Sequence, residues 1–177
     1  MKDLSNVTLE DATIRFRNFS GKEGKYNREG DRNFCVFLDR GVADQLVKDG
    51  WNIKQLTPRE EGDEPQAYLQ VTVGYGKGRP PRVVLVTSRG KNDLGEGEVS
   101  MMDWVEVKHV DMIIRPYQWE VNEKTGVKAY LKSIFITMVE DELDLKYADV
   151  PDSAQNSLVK DDEYFEDEET HRGPRFE

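Results

Sequence analysis

Residues 104–121, WVEVKHVDMIIRPYQWEV, and residues 127–139, VKAYLKSIFITMV, flank a short polar segment, NEKTG, at 122–126. Apolar and polar side chains alternate through much of both runs, the period of two that sends successive side chains to opposite faces of a strand. Asn122 and Gly126 suit a turn, so the chain is expected to fold back on itself between the two runs. Pro116 cannot donate to a ladder, which predicts a bend or a strand edge at that point.

Strand signals also dominate upstream. Residues 12–19, ATIRFRNF, alternate Ala12, Ile14 and Phe16 with Thr13, Arg15 and Arg17, which assigns the first set to the core and the arginines to the opposite face. Phe16, Phe34 and Phe135 are expected in the core because they share faces with Ile14, Val36 and Leu131. A polar loop, GKEGKYNREGD at 21–31, leads into RNFCVFL at 32–38, the partner strand of a long-looped hairpin. Residues 66–75, QAYLQVTVGY, and 82–88, RVVLVTS, joined by GKGRPP at 76–81, read as a second hairpin. Helical periodicity is confined to 41–50, GVADQLVKDG, with Val42, Leu46 and Val47 on one side and Gly50 as a stop. Six or seven strands and one short helix make the chain mainly β.

After Val139 the pattern fails. The run DDEYFEDEE at 161–169 cannot bury enough apolar surface to offset chain entropy, so disorder is expected from about Pro151 onward. The expected organisation is one domain over residues 1–150 and an acidic tail over 151–177. Charge divides along the same line. Residues 1–139 hold 21 Lys/Arg and 21 Asp/Glu, whereas residues 140–177 hold 14 acids and 4 bases and so carry the whole net charge of −10.

No apolar run approaches the ~18 residues that span a bilayer, and the opening MKDLS lacks the charged-then-apolar pattern of a secretion signal. A cytoplasmic protein with no membrane partner is expected. The single cysteine, Cys35, permits neither an internal disulfide framework nor a cysteine zinc site, and its apolar neighbours mark it as a small core residue.

Catalytic signals are scarce. With only His109, in a strand, and His171, in the tail, a zinc site or a histidine-dependent triad has little to work with, and no metal or cofactor is expected. The glycines of GYGKGRPPR at 74–82 lead into a strand, not into a helix whose N-terminus could hold a phosphate. A weak nuclease alternative is Glu106 and Lys108 with Asp93 or Asp103, since paired carboxylates can hold Mg²⁺ beside a lysine.

Basic and aromatic residues make the stronger pattern. Lys77, Arg79 and Arg82 belong to a stretch, 77–91, that contains five cations and no acid, a locally positive edge made of a hairpin loop and its strand ends. The first hairpin adds Arg15, Arg17, Lys25, Arg28 and Arg32, interleaved with Phe19 and Tyr26. Lys128, Tyr130 and Lys132 recur with period two, so one strand face carries an aromatic flanked by two cations. Tyr68, Tyr75, Tyr117 and Trp119 are further rings on which bases can stack. Single-stranded nucleic acid needs this combination of cations for phosphates and flat rings for bases. Within the tail, Tyr164, Phe165 and Phe176 stand among acids as hooks for a partner protein.

With its strand-rich body, its basic-aromatic hairpins GKEGKYNREGDR and GYGKGRPPR, the strand VKAYLKSIFITM and the tail DDEYFEDEETHRGPRFE, the chain resembles the single-stranded DNA-binding proteins of tailed phages. The resemblance implies an OB-fold-like barrel with extra strands. It also implies a tail that recruits replication and recombination proteins and competes with DNA, although Glu177 stands where that family ends on an aromatic. The expected function is non-enzymatic binding of single-stranded DNA with weak sequence preference, in replication, recombination or repair. A DNA mimic that occupies a host factor is the alternative. An exposed edge at Pro116 permits a homodimer.

Overall fold

The computed structural model describes residues 3–76 and 78–151. In chain order these form β1 (Val7–Leu9), β2 (Ile14–Asn18), β3 (Asn33–Phe37), α1 (Arg40–Lys48), β4 (Ile53–Leu56), β5 (Gln66–Thr72), β6 (Arg82–Thr87) and β7 (Gly90–Leu94). A 3-10 turn at Val99–Asp103 follows, then β8 (Val107–Val121), β9 (Lys124–Met138) and α2 (Glu142–Lys146). The strands join one sheet that curls into a half-barrel, the mainly β, OB-like fold expected. Among the described residues no helix is long and apolar enough to cross a membrane.

The two long alternating runs pair antiparallel, closing at Val121 opposite Lys124. The turn between them is Asn122 and Glu123, both at positive φ, 49° and 67°. A two-residue turn of this kind matches the twist of its strands. Pro116 lies opposite Ala129, beyond the reach of β1, which pairs only with residues 112–114. The missing donor thus falls where β8 has become an edge.

β9 organises the sheet. One side pairs β8; the other pairs first β5, at Val71 and Thr72, and then β6, from Arg82 to Val86, both parallel. The second hairpin expected between β5 and β6 is therefore absent. Residues 73–81 carry the chain along β9 without reversing it, and Pro80 and Pro81 remove donors that a tight antiparallel ladder would use. The hairpin partner of β6 is β7, whose sequence GKNDL has almost no apolar signal.

Two β-bulges set which residues face inward. In β9, Ile114 pairs Leu131 and Ile113 pairs Ser133, leaving Lys132 as the extra residue. The inward set is consequently Val127, Ala129 and Leu131 before the bulge and Ile134 and Ile136 after it, all buried. Phe135 emerges on the outer face, half-buried, instead of sharing the face of Leu131. In β2, Arg15 pairs Cys35 and Asn18 pairs Asn33, so Phe16 and Arg17 oppose the single residue Phe34. Phe16 takes a φ of +54° and turns out to solvent, 64% exposed. Phe19 takes the core position instead, fully buried and stacked on Phe34 at 5.4 Å between centroids. Both sequence assignments, Phe16 inward and Phe19 outward, are reversed by one inserted residue.

α1 buries Ala43 and Leu46 and stops at Gly50, whose φ of +94° only glycine adopts cheaply. Cys35 is buried as expected but lies across the sheet from the core, beside Gln70. Met1–Glu140 make one compact unit, and a second begins at Asp141. In that second unit Asp141 caps α2 by accepting from the Asp144 amide at 2.8 Å. The tail residues Tyr164, Phe165 and Phe176, and the expected disorder around them, lie outside the described residues, as does Lys77.

Candidate nucleic-acid interface

Side chains turned away from the core line up across the outer face of the sheet. On β8 these are Arg115, Tyr117 and Trp119, opposite Tyr130, Lys128 and Gly126 of β9. Tyr117 meets Tyr130 edge to face, 5.8 Å between centroids at 83°. Lys128 Nζ lies 5.2 Å from the centre of the Tyr130 ring, a cation–π contact. Two glycines seat the rings. A Cβ on Gly74 would lie 3.3 Å from Tyr130, and one on Gly126 would lie 2.5 Å from the indole of Trp119. Tyr117 and Trp119 remain open, 57% and 37% exposed, whereas Tyr130 is half-buried between them and β5.

The row continues across β5, where Thr72 pairs Tyr130 and is followed by Gln70 and Tyr68, and across β3, where Asn33, Cys35 and Phe37 oppose them. Arg15 of β2 covers the Phe37 ring at 5.3 Å. Two clefts open on this face. One, of about 410 Å³, is lined by Arg28, Arg32, Gln70, Thr72, Trp119 and Lys128 among others. The second, of about 360 Å³, gathers Arg79, Arg115 and Lys132 beside Asn6 and Pro80. Among the described residues no carboxylate forms an ion pair with Arg79, Arg115, Lys128 or Lys132, whereas Arg28 pairs Asp31 at 3.5 Å and Arg32 pairs Glu96 at 3.1 Å.

The loop at 21–31 is built by hydrogen bonds around Asn27. Its Nδ2 donates to the carbonyls of Lys22, Arg28 and Asp31 at 2.9–3.0 Å, and its Oδ1 accepts from Asn33 Nδ2 at 2.7 Å. Gly30 N donates to Gly21 O at 2.7 Å and closes the loop. The loop therefore holds Tyr26 out, 91% exposed, with Lys25 5.3 Å from the centre of its ring.

Other candidates have structural employment. Arg17 donates to the carbonyls of Met102 and Val105 at 2.9 and 2.7 Å, and Asp103 accepts from the amides of Phe19 and Ser20, so the two residues clamp β2 to the 3-10 turn. Tyr75 packs half-buried against the core under Arg32, and among the described residues its buried hydroxyl has no partner; burial pushes that hydroxyl's pKa up. Arg82 lies over Phe135 at 5.1 Å and donates to Asp93 at 2.8 Å. That hydrogen bond, more than the charge, holds the Asp93 carboxyl below its usual range. Asp93 and Asp103, weighed above as Mg²⁺ ligands, are thus engaged by separate partners on separate elements. The outward-facing residues missed in sequence are Arg115 and Phe37, together with Phe16, expected in the core yet exposed. The parity of 115, 117 and 119 would have found the first of them.

A family model described as "Putative phage ssDNA-binding domain" matches residues 1–171. Among solved structures the chain is similar to the single-stranded DNA-binding protein from bacteriophage Enc34 in complex with ssDNA, at 12% identity over 77% of this chain and 88% of that one, with a TM-score of 0.52. A second structure of the Enc34 protein aligns at 11% identity over 77% of this chain and 82% of that one, with a TM-score of 0.50. At such identities the likeness speaks to the fold. No curated protein matches. Since the family model spans nearly the whole chain, the protein belongs to the phage ssDNA-binding domain family.

Proposed function

We propose that the protein binds single-stranded DNA without a catalytic step, holding the strand along the outer face of β9. The observation that carries this reading is the row Lys128–Tyr130–Lys132 with Arg115 and the exposed rings of Tyr117 and Trp119 beside it, aromatics among cations that no described carboxylate pairs. Each ring can stack a base for about 1–3 kcal/mol, and each cation that meets a phosphate releases counterions. From Gly126 to Lys132 the row runs roughly 20 Å at ~3.3 Å per residue, room for several nucleotides. Arg15, Lys25, Tyr26, Arg28, Tyr68 and Arg79 extend the contact surface to either side.

In this reading the protein serves DNA replication, recombination or repair in the cytoplasm of a phage-infected cell. Its acidic tail, residues 151–177, recruits partner proteins through Tyr164, Phe165 and Phe176 or competes with DNA for the face, and its removal then raises affinity. The test is tryptophan fluorescence quenching by dT oligonucleotides of increasing length, at several salt concentrations. Saturable, length-dependent quenching that weakens steeply with salt is expected; no binding at low salt, with and without the tail, refutes the reading.

A further inference from the structure

The cleft of about 410 Å³ beside Trp119 is lined by neutral polar side chains as well as by cations. Gln70, Asn52 and Thr72 line it. Register places Gln70 and Thr72 on the outer face, opposite Cys35 and Asn33, and the bridge of Trp51 to Val127 holds Asn52 beside β9. Gln70 and Asn52 are both exposed, and among the described residues no protein group hydrogen-bonds their side-chain amides, so water serves them until a ligand takes its place. Asn33, by contrast, is already engaged with Asn27. One wall is the Trp119 indole over Gly126, and Arg28 and Lys128 stand at the rim.

A carboxamide presents a donor and an acceptor side by side, and so does the edge of every nucleobase. A phosphate offers acceptors only, so it can engage an amide's donor but leaves the amide's acceptor idle. Unpartnered amides beside a flat ring and beneath cations therefore match a nucleotide whose base is inserted and whose phosphate stays at the rim.

We propose that this cleft is a base-reading subsite: one base stacks on Trp119 and presents its hydrogen-bonding edge to Gln70 and Asn52, which gives the protein a preference among bases at that position. The inference rests on the single-stranded DNA reading above and adds selectivity to it. Indifferent contacts elsewhere on the face dilute the preference, so a spread of about fivefold between the best and worst homopolymer is expected, toward the lower end for amide–base pairs.

The experiment measures the affinity of the full-length protein for dT, dC and dA oligonucleotides of one length at fixed salt. The double variant Gln70→Ala/Asn52→Ala is expected to compress the spread below about twofold while keeping the salt dependence. Gln70→Glu, which keeps the shape and removes the donor, shifts the order toward cytosine and adenine, whose amino groups donate. Lys132→Ala, outside the cleft, lowers all three affinities alike and leaves their ratios unchanged. Equal affinities in the unaltered protein, or a spread that survives the double variant, overturns the subsite and leaves single-stranded DNA binding intact. Failure to bind any oligonucleotide overturns the reading beneath it as well.

Discussion

Gly126→Ala separates the stability of the fold from the use of its outer face. The new Cβ would lie 2.5 Å from Cζ2, 2.7 Å from Cε2 and 2.9 Å from Nε1 of Trp119, closer than packed atoms come, so the indole must swing away. Trp119 is more than a third exposed and outside the core, so it can move without collapsing anything beneath it. Its lost packing is offset by the gain of replacing glycine within a strand, about 0.5–1 kcal/mol. Net stability is therefore expected to change by less than about 1 kcal/mol. Affinity for single-stranded DNA should fall by one stacking contact, about 1–3 kcal/mol, which is about 5- to 150-fold. No phosphate contact is removed, so the salt slope should hold. Denaturant melts, tryptophan emission and fluorescence anisotropy with a labelled dT oligonucleotide measure the three quantities. A shifted emission with unchanged affinity would show that the indole moved and DNA did not notice, which refutes the placement of the strand over Trp119.

Lys128→Ala and Lys132→Ala should each reduce the slope of log affinity against log salt by about 0.7, the single-strand value per phosphate contact, in anisotropy titrations at four salt concentrations. Arg17→Ala should instead destabilise the fold by about 1.5–3 kcal/mol, the range for hydrogen bonds from a charged donor, since its guanidinium holds the carbonyls of Met102 and Val105; urea melts should show the loss while the salt slope stays fixed. Glu140 accepts from the hydroxyl and amide of Ser88, and these bonds hold its carboxyl below the ordinary value of 4.5. A carboxylate with a depressed folded-state pKa stabilises the fold above that ordinary value and ceases to do so as pH falls through the lower one. Urea midpoints should therefore drop on acidification below about pH 4.5, and Glu140→Gln should flatten that part of the profile.

The β8–β9 hairpin was legible because alternation over two 15-residue strands leaves little freedom in which face is buried. Lys128 and Tyr130 followed from the same period. What escaped depends on departures of one residue. Ile14 and Phe16 alternate faultlessly in sequence, yet the bulge inserts Arg17 opposite a position already taken, and Phe19 enters the core in place of Phe16. Nothing local signals it, because the cause is distant: Arg17 and the Phe19 amide are held by residues 102–105. The same limit hid the fate of Phe135, inverted by the bulge at Lys132. The parallel pairing of β5 and β6 with β9 was equally invisible, since GKGRPP carries turn residues whether the chain reverses or runs on. β1, β4 and β7 are too short or too polar to announce themselves.

A chain with a net charge of −10 can still attract a polyanion, because a strand feels the charges within a screening length of it and not the total. Charges are screened beyond about 8–10 Å at physiological salt, whereas the row from Gly126 to Lys132 spans roughly 20 Å. A phosphate on this row therefore responds to Arg79, Arg115, Lys128 and Lys132, with which no described carboxylate forms an ion pair, far more than to the molecule's total. The placement of acids in sequence matters for the same reason. With 14 of the 35 acids confined to residues 140–177, the remaining 139 residues are balanced, and a modest local excess of cations suffices to make one face attractive. Lowering salt lengthens the screening distance and brings more of the chain's acids within reach of the strand, so the attraction should grow less steeply at very low ionic strength than the count of phosphate contacts alone predicts. A plot of log affinity against log salt that stays straight down to about 10 mM, where the screening length reaches ~30 Å, would show that the acids are never felt.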